Sequence, residues 1–183
     1  MTSVSEILVF AGPNGSGKST VTSVWKLKGI YINADDIKAS RDCSDIEAAK
    51  EAEKLRELCL NESRSFTFET VLSTERNLDL LHRAKSAGYF IESVFVLTTD
   101  PKLNVFRVRS RVLGGGHDVP TEKIISRYEK SMLNIPKLLK ISNIFTVVDN
   151  TKEPSVIYNK NANGETIHPN KYWTSEAIRN LIS

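Results

Sequence analysis

Four apolar residues, Ile7-Leu8-Val9-Phe10, lead almost directly into Gly12-Pro13-Asn14-Gly15-Ser16-Gly17-Lys18-Ser19, and the run that follows is compatible with a helix. The eight residues satisfy G-x-x-x-x-G-K-[ST], a pattern that requires a strand before it and a helix after it. Its chemistry follows from that geometry. The glycines let the backbone curl until successive N–H groups and the helix N-terminus face one point, a cradle for negatively charged phosphates. Lys18 is then expected on the β- and γ-phosphates, with the Ser19 hydroxyl on Mg²⁺, a hard cation that takes oxygen ligands. Thr20 is expected beside the α-phosphate. ATP and Mg²⁺ are therefore the expected cofactors, held by Gly12, Pro13, Asn14, Gly15, Ser16, Gly17, Lys18, Ser19 and Thr20.

The rest of the chain alternates short apolar segments with amphipathic ones, the pattern of an α/β sandwich. Beside residues 7–10, strands are expected at 30–33, 65–69, 90–97 and 144–148, giving a five-stranded, mostly parallel sheet between two helical layers. Ser44 and Glu47 form a capping-box pattern, followed by an inward face of Ala48, Ala52, Leu55 and Cys59 and an end near Asn61. Further helices are expected from about Thr74 to Ala87, from Asp100-Pro101 and from Pro120. The last should carry Ile124, Tyr128 and Met132 inward and be kinked or interrupted at Pro136. Residues 151–172 read as loop or hairpin around Asn163-Gly164, with a short helix after Thr174.

A chain of 183 residues fits one domain, 1–183. Its 40% apolar and 26% charged residues match a folded protein, and a net charge of +3 gives no electrostatic case for a nucleic-acid or membrane partner. No secretory leader is read at the start, so a cytoplasmic setting is expected, with Cys43 and Cys59 as free thiols. His82 and His168 have no ligand-type neighbours and suggest no metal site.

Several classes of protein use such a loop. Transporter-type ATPases share GPNGSGKST, but Leu113-Gly114-Gly115-Gly116-His117 lacks the serine of their signature loop. Asn150, moreover, follows Asp149 where a water-activating glutamate belongs. A GTPase would need D-x-x-G, which does not occur. A kinase needs a carboxylate near the attacking hydroxyl and cationic groups around the transferred phosphoryl. Asp35 and Asp36 follow Tyr31-Ile32-Asn33, and Glu69 follows Phe66-Thr67-Phe68, at the strand ends that line the ligand crevice of an open parallel sheet. Either aspartate could serve as base, and either could cap a helix. Arg107 and Arg111 share a helix face and could reach the phosphates or form a solvated stripe with Arg109. The glycines at 114–116 suit a mobile lid over about 107–127 or a flexible connector.

Taken in order, Gly12 to Thr20, Ile32-Asn33-Ala34-Asp35, Phe68-Glu69-Thr70, Arg111-Val112 and Gly115-Gly116-His117-Asp118-Val119-Pro120 resemble the zeta-toxin-like kinases over roughly residues 5–150. The resemblance implies a P-loop NTPase fold similar to nucleoside-monophosphate and shikimate kinases. It also implies transfer of the ATP γ-phosphoryl group to a hydroxyl of a soluble small molecule, UDP-N-acetylglucosamine in zeta toxins, and a possible antitoxin partner. Lys18, Asp35 and Arg111 become the catalytic set, with Asp35 as general base and Asp36 as a helix-start residue. Glu69 and Thr70 become substrate-binding residues, and Asn150 bounds the adenine pocket. The second lid arginine has no clean match, since His117 occupies its slot and Arg127 is the other candidate. The competing expectation is a nucleotide-binding module or ATPase without kinase activity, for which Asp35 would have no use.

Overall fold

The computed structural model describes residues 4–41, 43–116 and 118–183. Strand β1 (Glu6–Ala11) is buried almost throughout. Its side chains alternate between two cores. Ile7, Val9 and Ala11 face the larger one, while Leu8 and Phe10 face a smaller one with Val21, Val94, Val96 and Val148. This two-sided burial is what a central parallel strand requires and why the run is continuously apolar.

Parallel strands β2 (Ile30–Ile32), β3 (Phe66–Thr70), β4 (Phe90–Leu97) and β5 (Ile144–Asp149) join β1 in the order β2-β3-β1-β4-β5. The sheet then continues. Strands β6 (Ser155–Asn161) and β7 (Gly164–Ile167) add an antiparallel hairpin, so the sheet has seven strands and not the expected five. The hairpin falls in the 151–172 stretch read as loop or hairpin, but its strands could not be placed because apart from Ile157 and Tyr158 they carry mostly polar residues such as Asn159, Lys160 and Glu165. Its register comes from pairing with β5, which leaves no apolar period of its own. The turn is centred on Ala162-Asn163, where Asn161 Oδ1 accepts from Asn163 N, and Gly164 begins β7.

Eight helices accompany the sheet among the described residues. Helix α1 (Lys18–Thr22) is a single turn and α2 (Ala34–Arg41) follows β2 directly. Helix α3 (Asp45–Asn61) starts with both halves of its capping box in place. It joins α4 (Arg76–Ser86), α7 (Ile135–Ile141) and α8 (Ser175–Ile182) on the larger core. The smaller core is closed by Val21 of α1 and by Trp25, whose ring meets Phe10 edge-on at 6.1 Å. Helix α5 (Pro101–Leu113) has Asp100 as N-cap and proline in its first turn, as the sequence suggests. The expected kink at Pro136 is a full break: α6 (Thr121–Leu133) ends and α7 begins at Asn134. Ile124 and Tyr128 are buried, while Met132 packs partly covered against the larger core. No described helix is long and apolar enough to cross a membrane.

Candidate nucleotide and acceptor site

The topology fixes where a ligand can sit. β1 lies between β3 and β4; its own connection runs toward the β2 edge whereas that of its neighbour β3 runs the other way to β4, so the connections diverge at the carboxyl ends of β1 and β3 and a crevice opens there. A cavity of about 420 Å³ fills the crevice. It brings together residues from the 12–19 loop (Asn14, Lys18), the β2 end (Asn33, Asp35), the β3 end (Glu69, Thr70) and α5 (Arg107, Arg111).

The loop is braced from behind by residues far along the chain. Gly15 and Gly17 both have positive φ, 75° and 87°. A Cβ on Gly15 would stand 2.4 Å from Asn104 O and one on Gly17 2.0 Å from Asn150 Nδ2, so both positions need glycine for space as well as for backbone angle. Buried Asn104 donates to Asn14 O at 2.7 Å and Asn150 donates to Ser16 O at 2.8 Å. The Asn150 amide therefore lies against the loop backbone. Arg127 Nη1 reaches Asn14 Oδ1 at 3.3 Å, so this arginine does arrive at the loop. His117, the other candidate for that role, lies outside the described residues.

Lys18 Nζ donates to the carbonyls of Gly12 (2.8 Å) and Pro13 (3.2 Å). Burial pulls its pKa down to about 8. The Glu69 and Asp35 carboxylates oppose that shift, and the Arg111 charge adds to it. Among the described residues, three polar atoms at the site are buried without a partner, Ser16 Oγ, Arg56 Nε and Arg107 Nη1. Arg107 donates through Nη2 to Thr151 O, which anchors the guanidinium and leaves Nη1 for something else. A curled loop, a lysine with lowered proton affinity and an unsatisfied guanidinium nitrogen together fit a polyphosphate, which would supply the missing acceptors. With only one turn in α1, the loop N–H groups carry this recognition more than a long helix dipole would. Ser19 and Thr20 are exposed on the cavity wall. Among the described residues no group of three His, Cys, Asp or Glu gathers as a metal site.

On the other wall, Glu69 Oε1 accepts from both Thr22 Oγ1 (2.9 Å) and Tyr31 OH (2.8 Å). Both donors use the same oxygen, so the carboxylate is oriented while Oε2 keeps its accepting capacity. Asn33 supports this wall twice: its Nδ2 donates to Tyr31 OH and its Oδ1 accepts from Asp35 N. Asn33 thereby sets the start of α2 and the backbone of Asp35, the N-cap role that asparagine just ahead of a helix announces. Asp35 and Asp36 are both exposed in the first turn of α2, but only Asp35 lines the cavity. Thr70 lines it too, yet its hydroxyl accepts from Leu72 N and Asn77 Nδ2 and shapes the turn after β3. Arg111 is exposed on the cavity wall, and Arg109 reaches Thr121 Oγ1 across the 114–120 segment. Asp149 is held by its own neighbours: Oδ1 accepts from Thr151 N and Oγ1 and Oδ2 accepts from Asn170 Nδ2.

No family model matches the chain. An uncharacterized protein of Haemophilus influenzae is 27% identical over 127 residues, covering 66% of this chain and 91% of that one. Among solved structures, a chain of the AvrRxo1-ORF1:AvrRxo1-ORF2 complex with sulphate ions superposes on all of this chain at a TM-score of 0.75 and 13% identity. The complex solved with ATP gives the same TM-score. This chain spans 65% and 64% of those two chains. A chain from the PezAT chromosomal toxin–antitoxin system of Streptococcus pneumoniae matches 98% of this chain and 79% of its own length, at a TM-score of 0.67 and 16% identity. Likeness at this level of identity is likeness of fold, and by it the chain has the fold of the zeta-toxin-like P-loop kinases.

Proposed function

We propose that this protein is an ATP-dependent, Mg²⁺-assisted kinase of the zeta-toxin type, acting on a hydroxyl of a small molecule. The observation that carries the proposal is one cavity in which a phosphate-binding loop with its lysine faces an exposed carboxylate, Asp35, and an oriented one, Glu69. A pure nucleotide-binding module has no use for that second wall. The AvrRxo1 complex solved with ATP supports the choice of nucleotide, since its fold is shared.

The residues divide the work as follows. The loop N–H groups and Lys18 would hold the β- and γ-phosphates, and the Ser19 hydroxyl would hold Mg²⁺, which when bound supplies charge neutralisation at the bridging oxygen. Asp35 would accept the proton of the acceptor hydroxyl as that oxygen bonds the γ-phosphorus and the bond to the bridging oxygen breaks, releasing ADP. Glu69 would orient the acceptor through Oε2. Arg111 and Arg107 would carry the charge that spreads over the phosphoryl oxygens. A nucleotide sugar such as UDP-N-acetylglucosamine is the first acceptor to examine, on the resemblance around Asp35 and Glu69. A protein partner belongs to the same proposal, because PezAT is a toxin–antitoxin system and the AvrRxo1 structures are two-protein complexes.

The test is ATP turnover against nucleotide sugars and small polyols with product mass measured. Acceptor-dependent ADP release and a phosphorylated product are expected, with Asp35→Asn lowering turnover about 10²-fold or more while ATP still binds. ATP hydrolysis that ignores every acceptor and survives Asp35→Asn would refute the kinase assignment.

A further inference from the structure

Helix α3 buries Ala48, Ala52, Cys59 and Leu60. Position 56 falls four residues after Ala52, on the same stripe, where the helical period calls for an apolar side chain. The chain has arginine there. Arg56 is half-buried, and its guanidinium lies over the Phe68 ring with Cζ 5.2 Å from the centroid. Its Nε is fully buried without a partner, and the side chain forms no hydrogen bond or ion pair with any described residue.

Carboxylates are close at hand, but they are engaged elsewhere. Glu53 Oε2 accepts from Arg76 at 3.1 Å, and Glu57 takes both amino groups of Arg83. Both arginines belong to α4, so the α3–α4 contact uses the acidic residues next to Arg56 and leaves Arg56 outside it. Burial lowers its proton affinity only against a very high starting value, so the guanidinium stays charged. The Glu53 and Glu57 charges offset part of the cost of burial from a distance, but neither is bonded to the guanidinium, and the face of one aromatic ring returns only part of the rest.

The cavity explains where the missing anion belongs. Arg56 lines the same space as Asp35 and Glu69. It enters from α3, which packs on β2, whereas Arg107 and Arg111 enter from α5, which follows β4. Among the described residues that line the cavity, Arg56 is the cationic side chain that comes from the α3 side. Resting on the kinase reading above, we infer that the acceptor carries an oxyanion, a phosphate or a carboxylate, and that Arg56 binds it and so sets acceptor specificity. The planar guanidinium can grip such a group through two parallel N–H donors while its far face stays on Phe68.

The test fills the phosphate loop first and then asks for a second anion. Wild-type protein is titrated with the non-hydrolysable ATP analogue AMP-PNP and Mg²⁺. The saturated protein is then titrated with inorganic phosphate in one arm and malonate in the other, followed by NMR shifts. Arg56→Gln and Arg56→Lys are treated identically, with unchanged AMP-PNP affinity as proof of folding. Expected are shifts at Phe68, Glu69 and Asp35 in wild type, about 10- to 100-fold weaker oxyanion binding in Arg56→Gln, and an intermediate loss in Arg56→Lys. The tighter arm identifies the acceptor's anionic group. Equal oxyanion affinity in wild type and Arg56→Gln, or no saturable oxyanion binding, overturns the role of Arg56 and leaves the kinase reading intact. Failure of wild type to bind AMP-PNP overturns both.

Discussion

Replacing Gly17 by alanine tests whether the phosphate loop is held in shape by a residue from the other end of the chain. Gly17 sits at φ 87°, ψ 30°, a left-handed conformation that costs a residue with a Cβ about 1–2 kcal/mol. The added Cβ would also stand 2.0 Å from Asn150 Nδ2. Asn150 is buried and must withdraw, breaking its 2.8 Å bond to Ser16 O and leaving that carbonyl unsatisfied, a further loss of about 1–3 kcal/mol. Gly17→Ala should therefore destabilise the protein by about 2–5 kcal/mol, and Asn150→Ala by about 1–3 kcal/mol because it breaks the same bond. In the double variant the bond is lost only once, so its effect should fall short of the two singles together by about 1–3 kcal/mol. Urea unfolding of the four proteins, with linear extrapolation to water, reads this directly. Additivity within about 0.5 kcal/mol would show that Asn150 does not press on Gly17, and the bracing argument would be wrong.

Lys18 has a folded-state pKa of about 8 against an ordinary 10.5, so between these values the unfolded chain binds more protons. The penalty for burying its charge is thus fully present below pH 8 and is relieved as pH rises to 10.5. ATP should restore the proton, so binding at about pH 9 should take up close to one, seen as a dependence of binding heat on buffer ionisation and absent in Lys18→Ala. Buffer-independent heats would contradict this. Tyr31→Phe removes one of two donors on Glu69 Oε1 and should raise the acceptor KM about tenfold without changing ATP affinity; an unchanged KM would deny Tyr31 its orienting role. Arg111→Ala should lower turnover about 10²–10³-fold with ATP affinity nearly preserved, and lysine should rescue only in part. Normal turnover in Arg111→Ala would reduce that side chain to a solvated one.

What could be read in advance was whatever a local pattern determines. The loop at 12–19, the strand at 90–97 and the capping box at Ser44 and Glu47 are each specified by residues within a few positions of one another, and each was found where expected. The β6–β7 hairpin was only half legible, because Asn163-Gly164 marks a turn while the polar strands beside it give no period to place them. The loop braces were less legible. Asn104, Arg127 and Asn150 contact their loop partners across 90, 113 and 134 positions; only the family resemblance singled out Arg127 and Asn150, and nothing near Asn104 announces its contact. Arg56 is a different case. The arginine interrupting the apolar stripe of α3 is visible in the sequence, but its meaning appears only once Glu53 and Glu57 are seen bonded to α4.

The distance between Ser16 and Asn150 also bears on the order of events during synthesis. A ribosome adding about 5–20 residues per second needs on the order of ten seconds to make the chain between them. Until then the nascent polypeptide carries the complete G-x-x-x-x-G-K-S segment without the asparagine that holds its backbone. The brace on the loop therefore becomes available only late, when β5 docks beside β4 and carries Asn150 into place, and the braced shape of the loop is a product of the last strands to be made.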